Sequence, residues 1–270
     1  MFKIDAGSPR TIWAPVSRVS SAITLYVGQL VQWPVGQDGV YPLAVASGAG
    51  DTSNKQVIYG VVVGTGDLSP LYNATYGQYI ASVQSQADLN ARSQLGLEGM
   101  YVKGDKQAMV QIALIDANTV LKGDIRNAAI GTGPSLLTVT TGSTTGAGFT
   151  SNACDFTPVA YAATTYCRTG ANAGQYRISS DTSTTVETNN IYWSNDIAVG
   201  DTFVRVPLKQ GIAYGQINST SGALGLWLEA SASPATNYFI LDVLELNLKE
   251  ANREYALFRF APCHFDLVRT

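Results

Sequence analysis

His264 is the chain's one histidine, and it stands beside Cys263, one of three cysteines. A single imidazole removes most nucleophile–histidine–acid triads and histidine-centred proton relays at once. With Cys154 and Cys167 this pair would supply a donor set for zinc, but no C-x2-C or H-x3-H spacing gathers it. We read these residues as structural and leave a Cys154–Cys167 bridge open. Asp181 with Glu187, and Asp196 with Asp201, could serve as paired carboxylates for glycoside hydrolysis. That chemistry is set by separation in space, however, and sequence proximity does not establish it. Set among Ser, Thr and Gly, all four read as turn residues, as do Asp51 and Asp67.

The stretch TGANAGQYRISSDTST, residues 169–184, has the glycines and the one arginine of a phosphate cradle. A cradle needs backbone N–H groups converging on a helix N-terminus. Here β-branched residues follow the glycines, so a tight turn between strands is expected. Gly131-Thr132-Gly133 is broken by Pro134, and no alternating Asp/Asn calcium loop occurs. The expectation is therefore a protein without catalysis, cofactor or metal. Binding chemistry is better represented. Tyr161, Tyr166, Tyr192, Trp193, Tyr214 and Trp227 could stack on sugars or partners, although packing inside β layers is the leading reading for each.

Residues of this kind must be positioned by β-structure. Ile23, Leu25 and Val27 alternate with Thr24 and Tyr26, and short apolar runs recur near 40–45, 56–63, 78–83, 100–102 and 108–115, each bounded by Gly, Pro, Asn or Asp. Only Ser85–Gln94 looks helical. The segment 127–208 is rich in Thr, Gly and Ser but carries too many aromatic and β-branched residues for a flexible linker. It reads as an inserted β domain. Dense apolar strands resume at 211–217, 224–228, 238–248 and 255–260. We therefore expect an all-β fold with an extended N-terminal arm (1–20), a barrel-like or sandwich base (21–126 with 209–270) and the insertion (127–208). Phe2, Ile4, Trp13 and Pro15 give the arm an apolar character, and it lies across its own domain or docks on a neighbour. Val-Gly or Lys-Gly followed by Gln or Asp recurs in LYVGQLV, YVKGDKQ, VLKGDIR and AVGDTFV, and we read each as a turn re-entering a strand.

The 270 residues include 46% hydrophobic and only 14% charged residues, with a net charge of −3. A core of ordinary size is expected under a surface of neutral polar side chains, which suits a subunit of an assembly. No basic run tracks a nucleic acid, and no apolar run approaches a membrane span or a leader, so neither nucleic acid nor membrane is an expected partner and a soluble compartment is.

LYVGQLVQ, GVYPLAVASG and QVIYGVVVG, glycine-punctuated strands within residues 20–125, together resemble the small β-barrel capsid cement (head decoration) proteins of tailed bacteriophages. TGANAGQYRISSDTSTTV is similar to turn-rich stretches of phage virion proteins. The resemblance implies a non-enzymatic virion protein made in the host cytoplasm. It would bind the outside of the mature capsid as a homotrimer, hold major capsid protein subunits together, and use Phe2, Ile4, Trp13 and Pro15 as contacts. The insertion and the aromatic C-terminal hairpin depart from that pattern. The alternative is a carbohydrate-binding or receptor-contacting β module that uses the insertion, with a hydrolase on Asp181 and Glu187 third.

Overall fold

The computed structural model describes residues 2–7, 9–17, 25–33, 39–43, 58–64, 71–73, 78–80, 109–126, 136–151, 163–181, 185–188, 191–206, 208, 210–218, 225–227, 239–251 and 253–265. The fold is all-β; among these residues the remaining regular element is a single 3-10 turn, Pro262–His264. The expected helix at Ser85–Gln94 lies outside them. Two compact units form, one from Met1–Lys122, Asn218–Leu224 and Arg259–Thr270, the other from Gly123–Ile217 and Gly225–Phe258.

The first unit carries strands β1 (Phe2–Ala6), β2 (Thr11–Pro15), β3 (Leu30–Gln32), β4 (Tyr41–Pro42), β5 (Ile58–Gly64), β6 (Leu71–Asn73), β7 (Gln78–Ile80) and β8 (Met109–Leu114). Five of them form a sheet in the order β2-β8-β5-β3-β4, every described pair antiparallel. Alternation explains the layer. Ala14, Val110, Ile112, Val62 and Val31 point to one face and bury with Val16, Leu25 and Val40, while Ile12, Trp33 and Tyr59 close the cluster. Trp33 and Tyr59 meet edge to face with centroids 5.4 Å apart. Strand β6 pairs with β7 as a separate hairpin.

Within the segment expected as an extended N-terminal arm, Phe2–Ala6 and Thr11–Pro15 are strands. The prolines and mixed charges hid the period, yet Thr11 to Pro15 pair residue for residue with Ala113 to Met109. Pro15, at the strand's end, is tolerated where a ladder N–H is dispensable. Phe2 is 1% exposed, and its N–H donates to the Gly28 carbonyl at 3.1 Å.

In the chain connecting the units, Asp116 builds the turn after β8. Its Oδ1 accepts from Asn118 N at 3.0 Å and Thr119 Oγ1 at 2.8 Å. Strand β9 (Val120–Arg126) follows and contains Gly123-Asp124, so VLKGDIR is one continuous strand rather than a turn. By contrast, Val27-Gly28 and Val199-Gly200 are turns as read.

The second unit holds a closed barrel of β10 (Leu136–Thr141), β11 (Gly148–Ser151), β12 (Ala163–Cys167), β13 (Tyr176–Asp181), β14 (Thr185–Thr188) and β15 (Thr202–Val206). Its order is β10-β11-β14-β13-β12-β15, and β15 returns to β10 through Leu136↔Val204, Leu137↔Phe203 and Thr138↔Thr202. Closure removes every strand edge. The Thr/Gly/Ser-rich segment is thus where the barrel sits, whereas the described β2–β5 and β8 form a sheet. Threonine suits such a wall, because its branched Cβ favours strands while its hydroxyl faces water. Leu137, Val139, Phe149, Cys167, Val186, Trp193, Ile197 and Phe203 fill one part of the interior. Phe203 stacks on Phe149 at 4.3 Å and receives Trp193 edge-on at 5.1 Å. Thr165 and Ser179 share a buried hydroxyl contact of 2.5 Å beside buried Arg205.

Strands β16 (Gly211–Asn218), β17 (Gly225–Trp227), β18 (Phe239–Asn247) and β19 (Tyr255–Phe260) pair in the order β9-β17-β16-β18-β19, with β19 also meeting β9. Most of these strands belong to the barrel's unit, which differs from the expected base of 21–126 with 209–270. The tie is chemical. Arg168, just past β12, donates from Nε and Nη2 to the Leu248 carbonyl at 3.1 and 3.0 Å and pairs with the buried Glu254 carboxylate. Leu248 N donates to Tyr176 Oη at 3.4 Å.

Candidate functional site

The glycine-rich part of the stretch at 169–184, residues 169–175, lies in the turn between β12 and β13, and it works as a latch. Asn172 is fully buried at its tip. Its Nδ2 donates to the carbonyls of Asn195 and Asp196 at 3.0 and 3.1 Å, and its Oδ1 accepts from Asn195 N at 2.9 Å and Gln175 Nε2 at 3.3 Å. One amide side chain thereby fastens the segment before β15 to the turn. Gly170 has φ +93°, and a Cβ there would collide with the Asp201 carboxylate, so only glycine closes this approach.

Arg177 makes four hydrogen bonds within the protein, which argues against a phosphate role. Its Nε donates to the Tyr192 carbonyl at 2.9 Å, Nη1 to the Tyr176 carbonyl at 2.8 Å, and Nη2 to Gln175 Oε1 at 2.7 Å and Ser194 Oγ at 3.3 Å. The guanidinium also lies 5.2 Å from the centre of the Trp193 ring. These contacts hold residues 192–194 against the barrel. On the other side Trp193 N donates to the Gly146 carbonyl at 2.9 Å, and Ser143 and Ile197 exchange backbone bonds of 3.0 and 2.8 Å. Gly146, at φ +68°, admits the Trp193 carbonyl to 2.5 Å from where a Cβ would stand.

The clamped segment alternates. Trp193 enters the barrel interior at 4% exposure, while Tyr192 stands outside at 57%. Below Tyr192 is a cleft of about 450 Å³ lined by Thr141, Gly142, Ala147, Gly148, Phe149, Thr150, Thr185 and Tyr192. Register explains it. Phe149 and Val186 point inward as partners, so Thr150 and Thr185, paired one step along, face outward, and Gly148 on the other side leaves a gap. None of the eight lining residues is charged. Such a surface can bind by stacking and neutral hydrogen bonds.

A second exposed feature lies on the first unit. Trp13, 54% exposed, sits at the sheet's β2 edge opposite Gln111, with Pro15 opposite Met109 on the same face. A bulge in β5 brings Val63, 40% exposed, beside Gly64, the next residue across from Gln111. Of the expected contact residues, Trp13 is thus open, Ile4 and Pro15 are half-buried, and Phe2 is packed away. Phe2 offers a partner no surface in this conformation. The sequence did not point to Met109 or Val63, since only the ladder register puts them near Trp13.

The reactive candidates are placed differently. Cys167 is a free, buried thiol donating to the Thr169 carbonyl at 3.0 Å, so it forms no bridge with Cys154. Burial, with the Asp201 charge adding to it, pushes its pKa up to about 12, and the inert thiol persists at neutral pH. Cys263 is exposed, and His264 packs edge-on to Phe260 at 6.2 Å, burial holding its pKa below the ordinary imidazole range. No three His, Cys, Asp or Glu side chains gather among the described residues. Asp201 buckles a turn by accepting from Ala198 N at 2.9 Å, whereas Asp196 is exposed. In the ladder Asp181 pairs with Val186 and Glu187 with Ser180, so the two are offset rather than opposite. Tyr166 is buried against Tyr176 at 4.5 Å. Cys154, Tyr161, Asp51, Asp67 and the side chains of Tyr214 and Trp227 lie outside the described residues.

No protein-family model, no curated protein and no solved structure matches this chain. The class that stands on the structure itself is an all-β protein with a closed six-stranded barrel.

Proposed function

We propose that the protein is a non-enzymatic structural subunit of a phage virion, binding the outside of the mature capsid as a homotrimer and holding major capsid protein subunits together. The observation that carries this reading is the Trp13 face: a large aromatic left in water on an edge strand whose other neighbours build a closed core. An exposed tryptophan flanked by Pro15, Met109 and Val63 suits an anchor that desolvates on docking. The neutral, charge-poor surface and the resemblance of residues 20–125 to capsid cement proteins support the same reading. Physically, a subunit that binds only the mature shell stabilises it by linkage, and many copies on one lattice act with avidity.

The test is the heat stability of shells stripped of this protein, measured with and without it added back. The reading expects shells to survive to a higher temperature with the wild-type chain and to gain little from Trp13→Ser. Equal protection by Trp13→Ser would move the contact elsewhere, and no protection by the wild type would reject the cement role.

A further inference from the structure

We propose that the cleft beneath Tyr192, on the outer wall of the barrel, is a binding site for a neutral saccharide. At about 450 Å³ it falls within the range of about 300–1,000 Å³ common for small-ligand sites. Its lining combines one exposed phenol ring with the hydroxyl-bearing Thr141, Thr150 and Thr185 around the gap at Gly148. A sugar ring has the matching chemistry, with an apolar C–H face for the aromatic ring and a rim of hydroxyls. Threonine hydroxyls both donate and accept, as sugar hydroxyls do.

Other ligand classes fit less well. A phosphate or carboxylate would meet no cation among the described lining residues, and the nearby Arg177 is bonded to Tyr192, Tyr176, Gln175 and Ser194. A purely apolar ligand would cover threonine hydroxyls without pairing them. An extended peptide cannot add to the ladder, because β10, β11 and β14 are each paired on both sides within the closed barrel. The site is also built in advance. Arg177 and Gly146 hold the carbonyl and the N–H of the peptide group that follows Tyr192, and a tyrosine has few torsions left to lose on binding.

The experiment is an array of neutral and acidic oligosaccharides probed with the purified full chain, followed by titration of the strongest neutral binder into isotope-labelled protein. Binding is expected on neutral glycans, with shift changes centred on Tyr192, Gly148, Thr150 and Thr185. Tyr192→Ala should weaken it by about ten-fold or more, and Tyr192→Phe, which keeps the ring, should stay within about three-fold. Tyr192 is exposed, so both variants should melt with the wild type, and Trp13→Ser should bind the glycan normally, which separates this site from the capsid reading. Absence of any neutral binder, binding to acidic glycans alone, or unchanged affinity in Tyr192→Ala would overturn the proposal.

Discussion

Asn172 shows how much one side chain can hold. It is fully buried, and its amide answers four partners across the 169–175 turn and residues 195–196. Replacing it with alanine would take the partner from the Asn195 N–H, the Asn195 and Asp196 carbonyls and the Gln175 amide, all part-buried bonds, at about 1–3 kcal/mol. Asn172→Ala should therefore lower the unfolding free energy from urea titration by that amount and loosen Tyr192, visible as faster amide exchange at 191–196; an unchanged free energy would show that the latch is dispensable. Cysteine reactivity gives an independent check. Cys263 should alkylate at once in the native protein and Cys167 only after unfolding, as peptide mapping would resolve. The turn was legible as a turn, because β-branched residues follow its glycines. That its arginine clamps a tyrosine carbonyl was not, since Arg177 and Tyr192, 15 residues apart, meet only through the fold.

At the scale of elements, the seam between Arg168 and Glu254 governs the second unit. Their side chains are 11% and 1% exposed, so removing the cation strands a buried carboxylate. Arg168→Met should cost about 3–5 kcal/mol, and adding Glu254→Leu should recover much of that loss in a double-mutant cycle by chemical denaturation. Additive losses would show that the pair is not the fastening. Strand positions were largely readable. Runs at 56–63, 108–115, 211–217, 224–228 and 255–260 became β5, β8, β16, β17 and β19, because period-two alternation marks half-buried strands. Two signals misled. Prolines and charges masked β1 and β2, and Gly123-Asp124 imitated a turn inside β9. In β18 the buried face passes from Phe239, Leu241 and Val243 to Leu246 and, just past the strand, Leu248, which leaves Leu244 exposed. The cleft needed register as well as pattern, since threonines line it only because Phe149 and Val186 turn inward.

For the whole molecule, acid is a more telling stress than heat. His264 has a pKa below the ordinary imidazole value because burial disfavours its cation. The unfolded chain takes up that proton first, so the contribution to stability is full above the ordinary value and is lost as pH falls toward the lowered one. Wild-type protein should lose more stability between neutral pH and pH about 5 than His264→Phe, by urea midpoints at each pH. Parallel curves would show that His264 ionises freely. Asp116, held below its ordinary pKa chiefly by the Thr119 hydroxyl, acts in a more acid window, its stability present above the carboxylate range and lost as pH falls through the lowered value. A charge-poor surface with a net charge of −3 leaves little repulsion against self-association, which suits a subunit that works in an assembly. The central claim is that this assembly is a capsid. The most direct measurement is co-sedimentation of the purified protein with mature shells stripped of it, counting copies bound per shell. Saturation at a fixed multiple of the coat-protein copy number, in threes, is expected, and protein that stays in the supernatant at every concentration would reject the capsid role.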